Sequence, residues 1–292
     1  MKTTESQNPR SSGIDSRSAL EIAQIMNNED AQIAAAVREV LPQIAAAIDG
    51  IAARLRAGGR MLYAGAGTSG RMAVIDAVEL VPTFSVPPEL AVALMAGGES
   101  AFVRSVEGAE DFADLGTADV TRVGINEKDA LIGVAASGRT PYVIGALQTG
   151  NAVGALTIAV SCNVPAPILE IAQISIGVVV GAEVIAGSTR LKSGTAQKMI
   201  LNMISTGAMI RTGKVYDNLM VDVRASNEKL VDRAERIAAQ IAGIAQEDAR
   251  RLLQQCDYEV KTAIVMAKRG VDAANARALL HEADGFLRRV ID

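Results

Sequence analysis

Polar residues dominate positions 4–16 (TESQNPRSSGIDS), which reads as an irregular arm. Apolar residues then recur at helical spacing from Ser18 to Met26 and from Glu29 to Ala57. Asn28-Glu29-Asp30 supplies a helix start with acids in its first turn, and Gly58-Gly59 supplies a stop. Past residue 59 the pattern changes. Continuous apolar runs at 60–64, 90–96, 130–136, 155–161 and 174–180 alternate with helical spacing at 70–80, 100–112, 141–147 and 189–211. Runs that are apolar at nearly every position belong to strands covered on both faces. Their alternation with helices predicts an α/β fold with a doubly wound, mostly parallel sheet. Such sheets bind ligands outside the carboxyl ends of their strands. After about Ser226 the strand signals end, and 229–242, 246–256, 260–268 and 273–281 all read as helices punctuated by glycine. The predicted division is a helical arm at 1–57, a sheet domain at 58–225 and a small helical domain at 226–292.

Composition narrows the chemistry. Hydrophobic residues make up 49% of the 292 and charged residues 21%, enough for a packed core. Aromatics are 3% with no Trp, so aliphatic residues must build that core, and base-stacking platforms are not supported. A net charge of −4 without a basic block argues against a nucleic-acid partner. Cys162 and Cys256 form no CxxC pair and His281 is the one histidine, so neither a metal site nor a serine-histidine triad is expected. Acid–base chemistry must come mainly from carboxylates, Lys or Tyr. The polar N-terminus and the lack of a long apolar run predict a cytoplasmic protein without membrane segments.

Three βα junctions have ligand-binding character. Gly65-Ala66-Gly67-Thr68-Ser69-Gly70-Arg71 follows a strand and opens a helix. Its glycines let backbone amides approach an anion, and Thr68 and Ser69 add hydroxyls. It also matches the GxGxxG dinucleotide pattern, and a tight turn without a ligand has the same sequence. Ala136-Ser137-Gly138-Arg139-Thr140-Pro141 is a second such turn, with Pro141 suited to the first helical position. Two hydroxyl-rich turns together point to a phosphomonoester better than to a dinucleotide. The third junction, 181–198, offers Arg190, Lys192 and Lys198 to neutralise phosphate or carboxylate, or else is an ordinary capped helix start. Among the acids, Glu79 follows Met72 and Ile75 on one helix face near the predicted helix end, where the macrodipole favours a protonated carboxyl. Glu107 and Glu110 fall at i, i+3 on the next predicted helix, and the pattern alone reads any one of these acids more readily as a solvated surface residue.

Taken together, these segments resemble the N-acetylmuramic acid 6-phosphate etherase family, part of the sugar isomerase (SIS) fold group. The resemblance runs through TESQNPRSSGIDSRSALEIAQIMNNED (4–30), GAGTSGRMAVIDAVELVPT (65–83), SVEGAED (105–111), ASGRTPYVIGAL (136–147), 181–223 and NEKLVDRA (227–234). It implies an SIS-like fold, a helical tail similar to ubiquitin-associated domains, and a homodimer. It also implies conversion of N-acetylmuramic acid 6-phosphate and water into N-acetylglucosamine 6-phosphate and D-lactate, without metal or cofactor. Carried over residue by residue, the two catalytic glutamates fall on Glu79 and Glu110. Many relatives have Cys-Pro-Pro-Thr after the first, where this chain has Leu80-Val81-Pro82-Thr83. The expected substrate contacts are Thr68, Ser69, Ser137, Gly138, Arg139, Thr140 and Lys192, with Glu79 as acid and Glu110 as base. Competing readings on related folds are a non-catalytic sugar-phosphate sensor similar to the glucokinase regulatory protein, an aldose–ketose isomerase, and a nucleotide-dependent oxidoreductase.

Overall fold

The computed structural model describes residues 3–223 and 227–292. The predicted boundary at 225/226 lies outside the described residues. Two compact units result: 1–77 with 89–205, and 78–88 with 206–292.

The first unit is built on five parallel strands: β1 (Met61–Gly65), β2 (Ala91–Met95), β3 (Ala130–Val134), β4 (Leu156–Ser161) and β5 (Ile174–Gly177). They lie in the order β2-β1-β3-β4-β5. Every residue of β1, β3 and β4 is buried, which explains why their runs are apolar at nearly every position. Leu62, Ala64, Leu131 and Ala159 share a cluster with Val120, Val143 and Leu147, from the helices Ala113–Arg122 and Pro141–Ala152. Tyr63 points to the opposite face, where its hydroxyl donates to Asp76 of the helix Gly67–Phe84 at 2.6 Å. Asp76 also accepts from Asn202 (2.6 Å) and Ser205 (3.0 Å) of the helix Lys192–Arg211. Burial and the Asp76 carboxylate push the Tyr63 phenol well above its ordinary range, so it remains a neutral donor. Helices therefore cover both faces, and the strand order reverses between β1 and β3. That reversal is the topological switch point, where sheets of this order open a crevice beyond their carboxyl ends.

Asn28-Glu29-Asp30 close the helix Ala19–Asp30 instead of opening one, and in the sheet unit two further elements differ from the predicted pattern. The stretch 100–112 is not one helix: a short helix, Ser100–Val103, gives way to a loop and a 3-10 turn, Ala109–Asp111. Arg104 is extended and Gly108 has φ +76°, a left-handed conformation that interrupts any helix there. Glu107 and Glu110 are thus loop residues and not a helical pair. The other difference is the helix Gly67–Phe84, which continues past Leu80 with Pro82 inside it. Glu79 is then five residues from its end, outside the last turn where the helix dipole acts, and that ground for a proton donor is lost.

The second unit is mostly helical, with Glu228–Ala242, Gln246–Gln255, Val260–Arg269, Ala273–Glu282 and Leu287–Ile291 around a core that includes Ile237, Leu253, Cys256, Ile264 and Leu287. It also holds a small antiparallel hairpin, Val215–Tyr216 with Leu219–Met220, that the sequence pattern did not indicate. No single helix among the described residues is long and apolar enough to cross a membrane.

Candidate active site

The two hydroxyl-bearing loops leave β1 and β3, the strands on either side of the switch point. After β1 the backbone turns at Gly67, with φ +53°, straight into the helix Gly67–Phe84. A Cβ on Gly70 would stand 2.9 Å from the Gly65 carbonyl oxygen, so glycine at both positions lets the helix seat on the strand end. Thr68 is half-buried. Ser69 is 7% exposed, and its hydroxyl donates to Gln197 Oε1 at 2.9 Å.

After β3, Gly138 has φ +68°, and a Cβ there would stand 2.3 Å from the Ala166 Cβ and 2.5 Å from Ser161 Oγ. Only glycine satisfies both the backbone and the space. The Arg139 amide donates to Ser137 Oγ at 3.3 Å, and the Arg139 side chain is exposed. Thr140 precedes the helix Pro141–Ala152 at the N-cap, yet its hydroxyl caps none of that helix's amides. A capping threonine normally spends its oxygen on the first turn. Ser137 and Thr140 therefore present polar atoms that the fold itself does not fully use.

A cavity of about 190 Å³ opens beside the first loop, bordered by Ala66, Gly67, Arg71, Met95, Ser105 and Val106 among others, together with Glu107 and Glu110. Arg71 shapes it by donating to the carbonyls of Ala101 (2.8 Å) and Phe102 (3.0 Å), which holds the segment after β2 in place. Glu110 is exposed at its rim. Glu79, also exposed, lies in the stretch 78–88 of the second unit, with Thr83 Oγ1 donating to its carbonyl at 2.7 Å. The two glutamates thus belong to different units, one to each.

Lys192 stands apart from the other candidates. It is wholly buried, and its ammonium donates to Glu29 Oε2 at 2.8 Å. Glu29 also accepts from Asn8 (2.8 Å) and pairs with Arg10. Arg10 above all, then Lys192 and Asn8, hold the Glu29 carboxyl down at about 2 against the opposing effect of burial. The helix start at Lys192 already has an anion of its own: the buried Glu183 accepts from the amides of Lys192 (2.9 Å) and Ser193 (3.0 Å) and from Ser193 Oγ (2.7 Å). The third junction is thus an internally neutralised anchor for the N-terminal arm. Arg190 and Lys198 remain exposed. Among the described residues no group of His, Cys, Asp or Glu gathers as a metal site.

Comparison with known proteins identifies the family. The model of the glucokinase regulatory protein N-terminal SIS domain matches residues 43–151. The chain is 51% identical, over 99% of its length and 96% of the relative's, to the N-acetylmuramic acid 6-phosphate etherase of Rhodopirellula baltica. It is 52% identical, over 99% of its length and 97% of the relative's, to that of Cronobacter sakazakii. The chain belongs to the N-acetylmuramic acid 6-phosphate etherase family. The chain also superposes on a phosphoheptose isomerase from Francisella tularensis with a TM-score of 0.53 at 19% identity, over 66% of this chain and 98% of that one, which shows a shared SIS fold.

Three polar residues that hold candidate residues or loops gave no sign of those partnerships in the sequence. Gln197 holds Ser69 from 128 positions away, Glu29 holds Lys192 from 163, and Asn163 donates to Thr4 Oγ1 (3.0 Å) and to the Ala136 carbonyl (2.9 Å), tying the arm to the second loop. Periodicity and motif spacing report neighbours in sequence, and none of these pairs is one.

Proposed function

We propose that the protein cleaves the lactyl ether of N-acetylmuramic acid 6-phosphate, yielding N-acetylglucosamine 6-phosphate and D-lactate. The observation that carries this reading is the 51% identity across 99% of the chain to an etherase that is itself matched over 96% of its length. The family model of the glucokinase regulatory protein covers only residues 43–151, and so favours the fold more than a regulatory role.

The chemistry follows from the substrate. In the open-chain aldehyde, the carbonyl acidifies carbon 2, and the ether oxygen sits on carbon 3. Glu110, an exposed carboxylate beside the first loop, removes the carbon 2 proton. The electron pair forms the C2=C3 double bond as the C3–O bond breaks, and Glu79 gives a proton to the departing lactate oxygen. Water then adds in reverse: Glu79 takes its proton as hydroxide joins carbon 3, and Glu110 returns a proton to carbon 2. Each carboxyl ends the cycle in its starting state. The phosphate is held by the loops after β1 and β3, through Thr68, Ser69, Ser137 and Thr140 with the backbone at Gly138 and Arg139. The two loops flank the switch point, which supports this assignment. The same reading takes the protein to be a cytoplasmic homodimer engaged in amino-sugar recycling.

The deciding experiment is incubation of the purified protein with N-acetylmuramic acid 6-phosphate and an enzymatic assay for D-lactate. Release of D-lactate is expected. Its absence under conditions where the protein is folded overturns the reading.

A further inference from the structure

Gln197 is buried completely, on the helix Lys192–Arg211, one turn beyond Gly194. A Cβ on Gly194 would stand 3.3 Å from Thr68 Cγ2, so this part of the helix lies directly against the first loop. Ser69 Oγ donates to Gln197 Oε1 at 2.9 Å, while Gln197 Nε2 has no hydrogen-bond partner among the described residues. This arrangement has a chemical consequence. A hydroxyl has one proton. If Ser69 gives it to Gln197, its oxygen has only lone pairs left to show a ligand, and a phosphate dianion has only lone pairs too. Ser69 in this state repels the anion that its loop is otherwise suited to hold.

Rotation of the amide by 180° about the Cγ–Cδ bond exchanges the two ends of Gln197. Nε2 then donates to Ser69 Oγ, and the serine proton is free to point at an anion. The present orientation strands a buried N–H group; the rotated one strands a buried carbonyl oxygen, a penalty of the same kind. Two states so balanced are switched by a ligand that bonds to only one of them. We propose that Gln197 is a positioning residue whose amide rotates to convert Ser69 from a closed donor into a phosphate donor, and so sets the affinity of the first βα loop for the phosphomonoester of the substrate. This rests on the sugar-phosphate reading above.

The test is kinetic. Gln197→Glu keeps the shape and, once ionised, only accepts, so assayed at about pH 9, where even a buried carboxyl ionises, it locks the Ser69 proton away from the ligand. Gln197→Met removes both ends of the amide and leaves the Ser69 hydroxyl free. With the sugar phosphate as substrate, Gln197→Glu raises KM at least about tenfold, equivalent to ~1.4 kcal/mol, with kcat within about twofold. It also raises the Ki of inorganic phosphate in parallel. Gln197→Met stays within about threefold of the parent in KM. In a Ser69→Ala background the difference between the Glu and Met variants shrinks to a small electrostatic residue. A merely structural role strikes Met at least as hard as Glu and moves Tm without KM, and that pattern overturns the proposal. Should Gln197→Glu not fold, side-chain amide NMR of the parent decides: saturating inorganic phosphate shifts the Gln197 Nε2 protons, and unmoved signals overturn the proposal. A parent that binds phosphate in this Gln197-dependent way but releases no D-lactate sinks the reaction and leaves the switch. A lactate-releasing parent indifferent to Gln197 does the reverse.

Discussion

Replacing Lys192 by Met separates a structural cation from a substrate-binding one. Its side chain is 0% exposed and its partner Glu29 1%. Methionine fills nearly the same volume, so packing is close to conserved, but the Glu29 carboxylate is left buried with one cation fewer. Breaking a buried ion pair from one side costs ~3–5 kcal/mol. Arg10 still reaches Glu29 from a side chain that is 60% exposed, so the lower end, about 3 kcal/mol, applies. For a domain near 200 residues this lowers Tm by roughly 6–12 °C. The double variant Glu29→Gln/Lys192→Met strands no charge and recovers most of the loss. Thermal unfolding of parent, both single variants and the double variant gives the coupling directly, and KM is measured on the same samples. A Lys192→Met protein that melts within about 2 °C of the parent and shows a raised KM, with no rescue by Glu29→Gln, would refute the structural role and return Lys192 to the substrate.

The same pair predicts a pH dependence. The Glu29 carboxyl sits at about 2, below its ordinary 4.5, so its contribution is complete above about 4.5 and lost as pH falls toward 2. Parent stability should fall more steeply than that of Glu29→Gln through this window, by about 2 kcal/mol after allowing for the exposed Arg10, as read from urea titrations at each pH. Glu79→Ala should abolish D-lactate release while keeping some solvent-deuterium exchange at carbon 2; equal loss of both overturns the division into acid and base. Ser137→Ala/Thr140→Ala should lose selectivity for the phosphorylated substrate, and an unchanged KM counts against a phosphate role. Gly138→Ala combines a left-handed φ of +68° with a Cβ 2.3 Å from Ala166 Cβ. The left-handed strain and overpacking together cost about 2–5 kcal/mol, which a drop in Tm and in soluble yield would report.

Much of the fold could be read from local pattern because burial on both faces leaves a local mark. The central strands β1, β3 and β4 show as largely apolar runs because no position in them faces water, and the edge strands β2 and β5, partly exposed, still read as apolar runs. The loops after β1 and β3 were equally legible, because a chain turning sharply from strand to helix needs glycine at Gly67 and Gly138. The segment 100–112 was misread because its apolar spacing suits a helix, while the left-handed Gly108 decides against one. That decision left Glu110 on a loop at the cavity rim.

By itself, then, the chain determined the parallel α/β layout and the two glycine-hinged loops. These depend on residue type and short spacing, which propagate no further than a strand or a turn. Tertiary structure alone decided which charged and polar side chains are already engaged: Lys192 with Glu29, the helix start at Lys192 with Glu183, Ser69 with Gln197. A buried ion or hydroxyl must find a partner wherever packing brings one, and that partner can lie over a hundred residues away. The pattern names the polar groups, and the fold determines which of them already have a partner.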